Sequence, residues 1–159
     1  MVAGEGPLPC PGLILGEAPG RHEIEQGRPF VGPSGQLLDM TLNLLGLPRS
    51  EIYITNVVKD WPRDEVGATR RPTTAEIAAW RPMLDVELEQ CSAGAVLLLG
   101  KTAAESWGWS HELVDQGIYA AFHPAYVLRQ KHDDPHIYER WLFSLRPFIH
   151  SVRVLRKQL

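Results

Sequence analysis

The chain has 159 residues, 44% hydrophobic and 22% charged, an ordinary globular composition at a length that fits one domain over residues 1–159. Its net charge of −3 provides no overall basic field, no apolar run approaches a membrane span, and two cysteines are too few for a four-thiolate zinc or iron–sulfur site. A domain of this size buries roughly two-thirds of its unfolded surface without a disulfide or metal staple. Few cysteines and no leader-like start make a reducing, cytoplasmic location the expectation, with no membrane partner.

Residues 1–11 are rich in glycine and proline and read as irregular. Leu13-Ile14-Leu15 is a short buried strand ended by Gly16, and a polar, glycine-containing loop follows over 17–33. Ser34 is placed to cap a helix that carries Leu37, Leu38, Met40, Thr41, Leu44 and Leu45 and closes at Gly46. A second strand covers 52–55 and runs into Asn56-Val57-Val58-Lys59, before a polar loop over 60–72. Thr73 or Thr74 caps a helix over about 75–89, with Ile77, Trp80, Leu84 and Leu88 on one face. The third strand, 95–99, is the clearest in the chain and leads through Gly100 into a helix over 101–107. A fourth covers 118–122, and residues 133–149 form a last amphipathic helix with a bend expected near Pro147.

Strands alternating with helices imply right-handed crossovers and a parallel α/β sheet covered on both faces. In such a sheet the loops leaving the carboxyl ends of strands build the site, which selects residues 17–33, 56–72, 100–101 and 123–129. In the first of these, glycines let backbone approach a ligand closely, and Phe30 either stacks on a planar base or plugs the core beneath the loop. Ser34 and Gly35 at a helix start offer N–H groups to a phosphate, or form an ordinary cap. Asn56 at a strand end can pair with the donor and acceptor edge of a pyrimidine, although a lone asparagine there is more often a turn former. Arg63, Arg70 and Arg71 add cations, as a solvated face also would. His123 can support a carbonyl oxygen that gains negative charge, and Leu128-Arg129 suits a wedge in a base stack beside a phosphate contact.

Taken together, Gly16 to Gly20, Gly27 to Gly32, Thr55 to Lys59 and His123 to Arg129 resemble the ordered motifs of the uracil-DNA glycosylase superfamily, family 4 above all. Arg71-Pro72-Thr73, Leu99-Gly100 and Thr102-Ala103-Ala104 also look like that family. The resemblance implies a three-layer α/β sandwich around a four-stranded parallel sheet, and hydrolysis of the N-glycosidic bond of uracil or a 5-substituted uracil flipped from DNA. It implies that Phe30 stacks on the base, Asn56 and Ala18 bind it, and His123 supports the pyrimidine O2. Glu17 and Glu23 would orient water or steady the cationic sugar. The DNA contacts would come from Arg28, Ser34, Lys59, Arg70, Arg71, Lys101, Leu128 and Arg129.

The family's [4Fe–4S] cluster is not expected here. The chain begins after the segment that would carry two of the ligands, Trp80 stands at the position of a third and is expected to pack that space, and Cys91 is off the spacing of the fourth. No cofactor or metal is therefore expected, and a monomer is. Ala18 and Gly20 stand where other branches place a water-activating Asp and a methyl-excluding Tyr, so thymine-like 5-substituents are left open. The loop 66–72 has no His of the kind that traps DNA covalently. Two further readings stand beside this one: a non-catalytic DNA- or base-binding protein on the same fold, and a flavodoxin-like nucleotide binder. A compact Gly-rich phosphate loop, which the second would need, is missing.

Overall fold

A computed structural model describes residues 1–159. Four strands, β1 (Gly12–Gly16), β2 (Tyr53–Asn56), β3 (Ala95–Leu99) and β4 (Ile118–Ala121), form one parallel sheet in the order β2-β1-β3-β4. Every residue of β1 and β3 is buried, so both faces of the sheet are covered, and this explains why these strands are continuous apolar runs rather than alternating ones. The edge of β2 is covered too. The chain start lies along it, with Glu5 and Ile54 exchanging two backbone hydrogen bonds of 2.9 and 2.8 Å.

The flanking helices are α1 (Arg21–Gln26), α2 (Pro33–Leu44), α3 (Thr74–Cys91), α4 (Lys101–Trp107), α5 (Pro124–Gln130) and α6 (Ile137–Arg156), with 3₁₀ turns at Arg49–Glu51 and His111–Gln116. Gly32 caps α2 and Pro33 takes its first turn, so Ser34 sits inside the helix and is not its cap. Thr73 caps α3 in a reciprocal box, its hydroxyl accepting from Glu76 N–H and the Glu76 carboxylate accepting from Thr73 N–H. The 17–33 loop contains the short helix α1, and α5 interrupts the stretch between β4 and the last helix. That last helix begins at Ile137 and continues through Pro147 to Arg156, beyond the expected end. Trp141, Leu145, Phe148 and Val152, spaced by four, three and four residues, are fully buried against the sheet. No helix is long and apolar enough to cross a membrane.

Candidate active site

The carboxyl ends of the four strands open onto a cleft of about 650 Å³, a size that admits a small heterocycle with part of its chain. It gathers Glu17, Ala18, Glu23, Phe30, Ser34, Asn56, Arg70, Arg71, Lys101, His123 and Arg129 from segments far apart in sequence. At its floor Asn56, Phe30 and Gly16 meet. A side chain at Gly16 would put its Cβ 2.4 Å from the Phe30 ring and 2.5 Å from Asn56 Oδ1, so only glycine leaves room for both. Phe30 is buried, and its ring stacks on His123 with centroids 5.6 Å apart and planes 27° from parallel. Phe30 thus belongs to the core and also lines the cleft.

Asn56 is buried, and its Oδ1 is the one buried side-chain polar atom without a hydrogen-bond partner. A buried acceptor left open costs stability unless a ligand or an ordered water supplies the donor. His123 caps α5, its Nδ1 accepting from Ala125 N–H at 3.1 Å, which assigns the proton of the neutral ring to Nε2. Burial, with the Arg129 charge nearby, pushes the His123 pKa down to about 4. At neutral pH the ring is thus an uncharged donor.

Thr102 donates to the Glu17 carboxylate and accepts from Arg71 Nη2 at 2.9 Å, while Arg71 Nε lies 3.8 Å from the same carboxylate. Glu23 accepts from Gly32 N–H at 3.3 Å. His22, Phe122 and Tyr126 also line the cleft, without a site role expected of them from the sequence, and Thr102 stands behind the lining as the hydrogen-bond partner of Glu17 and Arg71. Thr102 had a usable signal, standing three residues past the end of the clearest strand. Phe122 and Tyr126 are exposed aromatics in mutual contact at 4.8 Å, a pairing that depends on the unforeseen α5.

Three expected DNA contacts lie outside this cleft. Lys59 is fully buried. Its Nζ donates to Glu87 Oε2 at 2.5 Å and to Thr55 Oγ1 and Asn56 O at 2.7 Å each, so it holds the strand end that carries Asn56 and cannot reach a phosphate. Arg28 forks onto Glu5 at 2.6 and 2.7 Å, away from the lining. Leu128 is half-buried, because the turn of α5 brings Tyr126 and Arg129 to the cleft, three residues apart, and leaves Leu128 off it.

The residues present do not fit a four-thiolate cluster. Cys10 and Cys91 are both buried, with Cys10 Sγ 3.2 Å from Gly12 O and Cys91 Sγ 3.8 Å from Cys10 O. No group of three or more His, Cys, Asp or Glu converges on a point, and Trp80 packs against the core.

A flat apolar face, an open carboxamide, a neutral imidazole donor and a braced carboxylate together suit a planar heterocycle with hydrogen-bonding edges. Residues 3–146 match the family model described as the uracil DNA glycosylase superfamily. Similar proteins include type-4 uracil-DNA glycosylases of Pyrobaculum aerophilum, 39% identical over 144 residues (81% of this chain, 74% of that protein), and of Thermotoga maritima, 33% identical over 150 residues (84% and 74%). The one from Sulfurisphaera tokodaii is 33% identical over 147 residues, 80% of this chain and 65% of that protein.

Proposed function

This chain belongs to the uracil DNA glycosylase superfamily, and we propose that it hydrolyses the N-glycosidic bond of uracil, or of a 5-substituted uracil, turned out of DNA into the cleft, leaving an abasic site. The observation that carries the reading is the buried, unpartnered Asn56 Oδ1 beside the Phe30 ring. An imide N–H of the base supplies the donor that this oxygen lacks, and the carboxamide NH₂ donates to the adjacent carbonyl.

As the C1′–N1 bond breaks, the electron pair leaves with the base, and negative charge spreads to its O2. His123 Nε2–H donates there and strengthens its bond as the charge grows. Glu17, braced by Thr102 and Arg71, orients the water whose oxygen bonds to C1′ and takes up one of its protons. Glu23 adds negative charge near the cationic sugar. Chain cations and the mouth of the cleft hold the flanking DNA.

Base release from a uracil-containing oligonucleotide, single- and double-stranded, tests the reading. The wild type frees uracil, and Asn56→Ala loses release far more than DNA affinity, because phosphate contacts supply most of the affinity. Bound DNA with no base released by the wild type would favour the non-catalytic reading instead.

A further inference from the structure

Phe30 adopts φ 51°, the left-handed region, and Ser92 is the only other non-glycine residue in the chain with positive φ. For an aromatic residue that conformation is strained and persists only where its surroundings impose it. Two features impose it here. Helix α2 crowds the Phe30 backbone so closely that a Cβ at Gly35 would lie 1.9 Å from Phe30 O. The second is Arg49, in the 3₁₀ turn that leads into β2. Its Nη2 donates to Pro29 O and its Nη1 to Phe30 O, each at 2.7 Å. One planar guanidinium therefore spans two successive carbonyls, a geometry that a flexible point charge does not reproduce. The fork is itself anchored, since Nη1 lies 3.1 and 3.2 Å from the Asp39 carboxylate and Nη2 lies 3.6 Å from Glu5. Arg49 is largely buried and does not line the cleft.

We infer that Arg49 is a positioning residue: it clamps the Pro29–Phe30 carbonyls and so sets the pose of the Phe30 ring on which the base stacks. The catalytic half of this inference rests on the proposed glycosylase reading, whereas the clamp itself does not. The turn that holds Phe30 also begins the strand that ends at Asn56, so the stacking face and the base-reading edge share one support.

Two measurements on Arg49→Met test it. The first is independent of activity. Phe30 stacks on His123, so the difference in His123 ring-proton shifts between wild type and Phe30→Ala measures the ring-current effect of a correctly placed Phe30. Arg49→Met loses most of that effect, whereas Leu145→Ala, a buried truncation outside the cleft, retains it. The second is single-turnover uracil release at a temperature where thermal melts show every variant folded. Arg49→Met slows it roughly ten-fold, within the range that removal of one base–aromatic stack produces, and has no further effect in a Phe30→Ala background.

If the methionine variant does not fold, Arg49→Lys, which keeps the charge beside Asp39 but not the planar fork, goes through both measurements with smaller shifts in the same direction. Unchanged His123 shifts in a folded Arg49 variant, or equal slowing with and without the Phe30 ring, would overturn the inference. A wild type that releases no uracil, with the His123 shifts moving as expected, would instead sink the glycosylase reading and leave the clamp standing.

Discussion

Ala125 N–H donates to His123 Nδ1, so the cap of α5 and the donor facing the cleft are two ends of one neutral ring. Losing such a donor typically costs about 3–4 kcal/mol in the transition state, so His123→Ala should slow single-turnover release roughly 100- to 1000-fold with only a modest drop in melting temperature. Near-normal release by a destabilised variant would make the residue purely structural. The depressed pKa of about 4 has a second consequence. Between that value and the unfolded value of about 6.5 the unfolded chain binds the extra proton, so stability rises with pH through this window and is lost as pH falls from 6.5 toward 4. A proton on Nδ1 would also set two donors against each other at the cap. His123→Asn, compared with wild type in melts at pH 7 and pH 4.5, should show the smaller loss on acidification.

At the scale of elements, the end of β2 is built on a buried ion pair with α3. Glu87 accepts from Lys59, from Thr55 Oγ1 at 2.7 Å and from Gly4 N–H at 2.7 Å, tying strand, helix and chain start together. Burial pushes the Lys59 pKa below its usual value while Glu87 opposes that shift. Breaking such a pair from one side leaves an uncompensated buried charge. Lys59→Met should therefore destabilise by about 3–5 kcal/mol in urea melts, and Lys59→Met with Glu87→Gln should recover part of that loss. A single variant as stable as the wild type would show the pair to be energetically idle. The pair also positions chemistry, since Lys59 donates to the carbonyl of Asn56.

Across the whole molecule, most of the cleft's positive charge is already matched. Arg21 pairs with Glu25, Arg70 with Glu76, Arg71 with Glu17 and Glu105, and Lys101 with Glu105, while Arg129 has no carboxylate partner. The acidic total and these internal pairs leave few cations free to displace counterions from DNA. Arg129→Ala should weaken binding about equally across sequences and reduce the slope of log affinity against log salt by about 1. Arg70→Ala should change that slope less, because its guanidinium is forked onto Glu76 at 2.8 Å by both nitrogens. Fluorescence anisotropy across a salt series measures both, and equal slopes for the two variants would refute the distinction.

By itself the sequence determined the four strands, their parallel sense and the end of the sheet that carries the site. Apolar runs bounded by glycine, such as Leu13 to Gly16 and Ala95 to Gly100, record those features locally, and chain chirality supplies the crossovers. Asn56 and His123 were candidates for the same reason, as polar residues at or just past strand ends, whereas Phe30 stood out as an aromatic inside a polar loop and Glu17 only through the family resemblance. Tertiary structure alone decided the fate of the charges. Lys59 stands three residues past a strand end, like a site cation, but Glu87 lies 28 residues further on and only the packing of α3 on β2 brings the two together. Helix α5, seven residues long and too short to show a period, was equally invisible, and with it the cap on His123 and the exposed Phe122–Tyr126 pair. Periodicity and backbone constraint are properties of neighbours in sequence. Ion pairing and burial are properties of neighbours in space, and here the topology of the sheet chose them.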